Sequence, residues 1–366
     1  MKKDVLLWSE GKSPAKIISK ETLNHRRLVE MVSGRNVYTN TRDAYLVAYE
    51  ALGIDIINRV PVENAPIPSD DGITRHHPHL PYSYSRLGIY DTVMCNDYPL
   101  KKLDEVYNLD FSDVKYSDLM VPVPHSCDPE DIRMRQNTLG DTGLYYPMLY
   151  TTLFMWGVEY LGYELFFEAA LTEPGRFNDK FILPAAKKSA GIVEQMAKAS
   201  DSPFIYLHDD LASANGPLFA PEWYSEYIFP HYPEIFEPAI KSGKKIVFVA
   251  DGNMDSFLEP LADCGVDGIM FENPATNLDK VIEVFSTPGR FMIGGIDTKK
   301  LSFGTPDEVR KMVLELDNKT RNIPGFAISS CGGLHDTIPL ENLEAYFEAR
   351  VSIGATPADW KTRGRM

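Results

Sequence analysis

The chain has 366 residues, 44% hydrophobic and 24% charged, with a formal net charge of −15. This is the balance of a soluble globular enzyme with ample core, and it excludes disorder on a large scale. An acidic chain without a Lys/Arg cluster lacks the basic face that a phosphate backbone requires, so no nucleic-acid partner is expected. No uninterrupted apolar run reaches membrane-spanning length, and the start, Met1-Lys2-Lys3-Asp4-Val5-Leu6-Leu7-Trp8, is too short in apolar residues for a secretory signal. No membrane partner is therefore expected, and a cytoplasmic location is. Cys95, Cys127, Cys264 and Cys331 lie far apart with no Cys-x-x-Cys spacing, so a disulfide framework is not expected either.

In chain order, Thr22 to Met31 and Asp43 to Leu52 carry apolar residues at helical spacing, and Gly53 stops the second. Residues 1–54 therefore read as an N-terminal helical extension and 55–366 as the main domain, which opens with a strand from Asp55 to Val60. From Pro61 to about Tyr84 the residues Pro, Asp and His dominate, including Arg75-His76-His77-Pro78-His79, which predicts a long loop, a lid or binding loop. Its histidines resemble a metal tract, although such loops are usually just solvated. Between Tyr90 and Tyr146 the pattern is weak. Early strands are expected there, with Asp118-Leu119-Met120-Val121 as one candidate.

A helix is expected after Thr151, with Phe154, Val158, Leu161, Leu165, Phe166 and Ala169 in its apolar stripe, and a long one from Pro174 to Ala199. Five short apolar runs follow, each ending in polar or glycine residues. They are Pro203 to Leu207 before His208-Asp209-Asp210, Ile246 to Ala250 before Asp251-Gly252-Asn253, Val266 to Phe271 before Glu272-Asn273, Phe291 to Ile293 before Gly294-Gly295-Ile296-Asp297, and Phe326 to Ser330 before Cys331-Gly332-Gly333. Between and after them, helices are expected near Pro221 to Ser242, Asp255 to Cys264, Leu278 to Phe285, Pro306 to Leu316 and Leu340 to Ile353. Strand-then-helix repetition predicts a parallel sheet. Polar residues at the carboxyl ends of its strands predict an α/β fold of the (β/α)8 TIM-barrel type with its chemistry at that end.

At those strand ends, His208 and Asp210 could bind a metal, orient a base or hold a cationic substrate, or Asp210 could simply cap the next turn. Asp251 either faces the mouth as a carboxylate or serves a turn built on Gly252. Glu272 closes an apolar strand and requires a partner or metal, and Asp297 follows two glycines that permit close approach of a ligand. Cys331 could be a soft metal ligand or a small core residue, with His335 four residues on. No Walker loop, Rossmann glycine fingerprint or Gly-x-Ser-x-Gly elbow is present.

Taken in order, His-Asp-Asp-Leu at 208 to 211, Asn-Gly-Pro-Leu at 215 to 218, the Pro221-Glu222 helix start, Asp251-Gly252-Asn253, Gly-Gly-Ile-Asp at 294 to 297, Gly304 to Val309, and Ser-Ser-Cys-Gly-Gly at 329 to 333 before Pro339-Leu340-Glu341-Asn342-Leu343 resemble the uroporphyrinogen decarboxylase superfamily. The resemblance runs from about Thr151 to the end and implies the same barrel, with its site at the carboxyl-terminal mouth. True uroporphyrinogen decarboxylases carry an N-terminal Arg-Gln-Ala-Gly-Arg segment that grips propionates. Here Gly34-Arg35-Asn36 and Thr41-Arg42-Asp43 are poor substitutes for it.

Trp156-Gly157 through Leu161-Gly162-Tyr163-Glu164 resembles the corrinoid-dependent methyltransferases more closely. In the thiol-methylating members of that branch a His-x-Cys pair and a later Cys hold zinc. Val249 and Asp251 stand in the pair's places here, while Cys331 matches the later cysteine. The resemblance thus implies a cobamide-dependent methyltransferase similar to the demethylating component of O-demethylase systems, passing a methyl group from a methoxy-aromatic donor to the Co(I) corrinoid of a partner protein. Implied catalytic residues are His208, Asp210, Asp251 and His335, and implied substrate contacts are Asn215, Tyr146 and Asp297. Asp251, Glu272 and Cys331 are the implied zinc ligands. Phe219, Trp223 and Met148 would join Tyr146 around an aromatic donor, or belong to the core. A homodimer is compatible with all of this. The alternatives are a cofactor-free porphyrinogen decarboxylase and a barrel that only binds a ligand.

Overall fold

A computed structural model of the chain describes residues 2–12, 14, 16–65, 75–76, 82–86, 91–95, 98–116, 119 and 127–365. Its centre is a closed circuit of parallel strands. We number them β1 (Ile18–Ser19), β2 (Ile56–Ile57), β3 (two short ladders, Leu144–Tyr145 and Met148–Leu149), β4 (Phe204–His208), β5 (Lys245–Ala250), β6 (Gly268–Phe271), β7 (Phe291–Gly295) and β8 (Phe326–Ser329). β3 through β8 pair in sequence, and β8 returns to β1 with Ala327 opposite Ile18. The ring closes through a Lys20–Ile56 bridge between β1 and β2 and through Ile56 opposite Leu144 between β2 and β3. This is the expected (β/α)8 barrel.

The first strand lies inside 1–54, which corrects the reading of that stretch as a helical extension only. Helices Lys2–Ser9, Arg26–Ser33 and Thr41–Leu52 do fill most of it. A two-residue ladder is too short to register as an apolar run, so β1 left no periodic signal. The segment read as one loop from Pro61 to about Tyr84 also holds strand residues. Arg75–His76, Tyr82–Arg86 and Asp91–Cys95 form an antiparallel sheet of their own. His77 and His79 lie outside the described residues, as do Asp118, Met120 and Val121. The helix expected from Pro221 to Ser242 is two, Pro221–Tyr227 and Tyr232–Lys241, separated by a 3-10 turn at Phe229–His231 where Pro230 removes a backbone donor.

Two separate apolar cores follow from the alternation of side chains along each strand. Ile18, Ile56, Tyr146, Phe204, Tyr206, Val247, Val249, Met270, Phe291, Ile293 and Ala327 fill the barrel. Leu207, Phe248, Phe271 and Ile328 point the other way, into the layer shared with the helices. Trp8 plugs the amino end of the barrel, its ring 4.6 Å from that of Phe291 and 6.0 Å from that of Phe204. No described helix is long and apolar enough to cross a membrane.

Candidate active site at the carboxyl end of the barrel

Continuing the same alternation past each strand end brings a polar residue over the barrel interior. After Ile18 it is Lys20; after Phe204 and Tyr206 it is His208; after Val247 and Val249, Asp251; and after Met270, Glu272. The intervening residues turn outward, and Asp209 shows what that means. Its buried carboxylate accepts the backbone N–H groups of Leu153 (3.0 Å), Phe154 (2.9 Å) and Met155 (2.7 Å) and the hydroxyl of Tyr232 (2.8 Å). Helix Phe154–Thr172 starts after Leu153, which has no capping side chain, so Asp209 caps it from a different element.

His208 is 6% exposed. Its Nδ1 donates to the carbonyl of Tyr150 at 2.6 Å, its Nε2 lies 3.2 Å from Asp210 Oδ1, and the Tyr150 ring stacks on it at 4.3 Å. Both nitrogens therefore face acceptors, which the imidazolium satisfies. Burial disfavours that charge, but Asp210 and the Tyr150 carbonyl override it and lift His208 to about 9. Burial would likewise raise Asp210, and the imidazolium overrides it in the opposite direction, holding that carboxyl low. Asp210 Oδ1 also accepts the backbone N–H of Asp251 at 2.9 Å.

Asp251 opens to solvent at the mouth while the surrounding walls shield much of its carboxyl. That desolvation, followed by the negative charge of Asp210 and offset by His208, raises it to about 6. Glu272 Oε2 accepts the N–H of Gly252 at 3.0 Å. Gly252, at φ +80°, packs so closely on the hairpin of Ala212–Ser213 and Gly216–Pro217 that a Cβ would lie 2.4 Å from the Ala212 carbonyl.

The structure thus brings His208, Asp210, Asp251 and Glu272 together, with Cys331 close enough to influence Asp251 and Lys20 electrostatically. Cys331 adopts φ 52°, uncommon for a residue with a side chain, and burial pushes its thiol up to about 12. Its Sγ faces the Phe271 carbonyl at 2.6 Å. Glu272 is bonded to the Gly252 amide and the Cys331 sulfur is turned to a carbonyl, and Asp251, Glu272 and Cys331 do not converge as a ligand set among the described residues. Among the described residues no group of three or more His, Cys, Asp or Glu converges in a way that would hold a metal ion.

Other residues singled out from the sequence stand apart. His335 shares a hydrogen bond with the Thr337 hydroxyl and pairs along the chain with Asn24. Asn215 is exposed at the hairpin turn, its backbone N–H bonded to Ser213. Asp297 caps helix Thr298–Phe303 through the amides of Lys299 and Lys300. Tyr146 is buried inside the barrel, stacked 3.7 Å from Tyr206, and forms a floor beneath the mouth. Phe219 and Trp223 stack on each other in the outer helical layer, and the Trp223 indole donates to the Ala170 carbonyl, so they line no substrate space at the mouth.

Sequence reasoning missed Lys20 and Glu159. Glu159 is the lone carboxylate on the buried stretch Phe154 to Leu161, a signal that was there to find. It accepts the Thr151 hydroxyl at 2.5 Å, and burial raises it to about 7, partly offset by Thr151 and the nearby His208.

Residues 154–352, more than half of the chain, match the family model described as Uroporphyrinogen decarboxylase (URO-D). No curated protein matches the chain. Among solved structures it is similar to a xylose isomerase-like TIM barrel protein from Mycobacterium smegmatis in complex with magnesium, at 11% identity over 93% of this chain and 98% of that one with a TM-score of 0.36. It is also similar to the catalytic domain of the GH26 endo-beta-1,4-mannanase of Bacillus sp. JAMB-750, at 12% identity over 97% and 98% with a TM-score of 0.39. At such scores neither bears on chemistry, and the barrel stands on its own strand circuit.

Proposed function

The chain belongs to the uroporphyrinogen decarboxylase family, and from that premise we propose that it is a cobamide-dependent methyltransferase that takes a methyl group from an aromatic methyl ether and delivers it to the Co(I) corrinoid of a partner protein. The single observation carrying this reading is the His208–Asp210–Asp251 chain, which ends in a solvent-reachable carboxyl raised into the range where it can give up a proton near neutrality. An aryl methyl ether releases its methyl group only if the departing oxygen is stabilised, and a positioned carboxylic acid supplies that. Among the family's two chemistries, decarboxylation is disfavoured because the arginine-rich segment that grips propionates has no counterpart in residues 1–54.

In this mechanism the ether's carbon–oxygen bond breaks with both electrons staying on oxygen, and that oxygen takes the proton of the Asp251 carboxyl. The methyl carbon accepts an electron pair from the Co(I) acceptor substrate. Asp251 regains its proton from solvent through the mouth. The His208 imidazolium fixes the Asp210 carboxylate, which in turn holds the Asp251 backbone, so the pair positions the acid. Each of these roles is carried by the chain's own side chains.

Anaerobic mixing of the protein with a Co(I) corrinoid protein and a panel of methoxybenzenes tests the reading. Stoichiometric phenol and methylated corrinoid are expected. Absence of both with every ether would sink it, and release of coproporphyrinogen from uroporphyrinogen would put the decarboxylase in its place.

A further inference from the structure

A second charged group at the mouth has no role in the proton chemistry above. Lys20 continues β1 into the barrel, and its side chain is 2% exposed. Its ammonium donates to the Thr22 hydroxyl at 3.0 Å and makes no ion pair or other side-chain hydrogen bond within the described residues. The carboxylates that influence it are occupied elsewhere. Glu21 accepts the Ser330 and Tyr346 hydroxyls and lies 3.6 Å from the buried Arg350 guanidinium, while Asp251 is the acid of the mechanism. A buried cation with one neutral partner is costly, because two of its three donors go unused.

A second unsatisfied group follows the adjoining strand. On β2, Ile56 points into the barrel and Ile57 away from it, so Asn58 turns back over the mouth. Ile56 is in register with Lys20, which puts Asn58 one inward position higher on the adjoining strand, about 7 Å further along. Asn58 Oδ1 is buried without a hydrogen-bond partner. An amide whose oxygen finds no donor is equally able to present its NH2 there, since the two orientations differ only by a flip.

We infer that Lys20 and Asn58 form an anion subsite that grips a carboxylate on the substrate, so that the preferred donor is a methoxylated aromatic acid rather than a neutral ether. The inference rests on the methyl-transfer reading for the methoxy group but not for the carboxylate. A carboxylate brought to this place supplies acceptors for the idle Lys20 donors and for the Asn58 amide, in a setting where charge-assisted hydrogen bonds are strong. Burial lowers the affinity of Lys20 for its proton in the empty site, and an arriving anion opposes that effect.

The test is calorimetric binding of 4-methoxybenzoate and its neutral isostere 4-methoxybenzamide to wild-type protein and to Lys20→Met. Wild type is expected to bind the benzoate about tenfold or more tighter than the amide, as hydrogen bonds to a charged group allow. In Lys20→Met that preference should vanish through loss of benzoate affinity, with amide affinity unchanged. Methionine keeps the apolar stem and removes a buried charge, so the melting temperature should not fall. Equal binding of both ligands by wild type, binding of neither, or a preference that survives in Lys20→Met would each overturn the subsite. The wild-type comparison decides even if the variant does not fold. A benzoate preference without demethylation of any ether would defeat the methyl-transfer reading and leave the anion subsite standing, whereas demethylation without the preference would do the reverse.

Discussion

Two lysines at opposite ends of the barrel have opposite surroundings. Lys245, at the amino end of β5, donates to the carbonyls of Ser9 (2.6 Å) and Gly289 (2.8 Å) and so ties the N-terminal helix to the strand ends. Among the described residues Lys20, at the carboxyl end of β1, bonds a single hydroxyl. The contrast extends to their neighbours. The amino end is sealed by Trp8 between Phe204 and Phe291, and a cavity of about 280 Å³ beside it is walled by Ile17, Leu316 and Phe326 and contains none of the residues of the mouth. The carboxyl end gathers His208, Asp210, Asp251 and Glu272. One end of each strand is thus spent on stability and the other on groups whose cost only a ligand or a reaction explains.

The division can be broken most forcefully at the plug. Trp8→Ala should cost about 3–5 kcal/mol in urea unfolding, the range for a buried large aromatic, while leaving ligand affinity at the mouth intact in the folded fraction. A loss of affinity larger than the loss of folded protein would show that the two ends are coupled. Asp209→Ala crosses the divide from the other side. It leaves three amides and a hydroxyl without their acceptor and should destabilise the fold by about 3 kcal/mol or more, whereas Tyr232→Phe, which removes one of those donors, should cost about 1 kcal/mol.

Asp251→Asn should do the converse, slowing methyl transfer by about 100-fold or more, the contribution of a positioned general acid, with an unchanged unfolding midpoint. A fall in the midpoint would make Asp251 a structural residue.

The smallest effects are those of pH, and they sharpen the same line. In the proposed mechanism Asp251 acts in its protonated form, so the transfer rate should decline as pH rises through about 6. His208 has a folded-state pKa of about 9, above its unfolded value near 6.5. Its stabilising contribution is therefore full below about 6.5 and is lost as pH climbs through about 9. His208→Gln should flatten that part of the stability curve. A slope that persists in the variant would assign it to another group.

The later strands could be read from sequence because each is a run of four to six residues buried on both faces, which no surface helix imitates. β1 could not, since its ladder is two residues long and its identity comes from closing a ring, a non-local property, whereas β2 falls inside the strand expected from Asp55 to Val60. The same reason hid Lys20, whose inward direction depends on recognising Ile18 as a barrel residue. His208, Asp210 and Asp251 were singled out because they follow readable strands, and the family resemblance drawn from their order matches the family to which the chain belongs. Asp297 and Asn215 follow the same rule of thumb and proved to be a helix cap and a turn residue, because a polar residue after a strand is also what starts the next element. Phe219 and Trp223 were left open between donor contact and core for a related reason: aromatic content carries no direction, and only packing assigned them to the outer layer.

Asp209 sets a rule for how this protein can diverge. Because 208, 209 and 210 point alternately in, out and in, a single insertion or deletion there would not shift one function slightly. It would turn the carboxylate that anchors the helix into the mouth and a mouth residue into the helical layer at the same stroke. Substitutions along that triplet change one direction at a time, whereas a change in its length reverses all of them together.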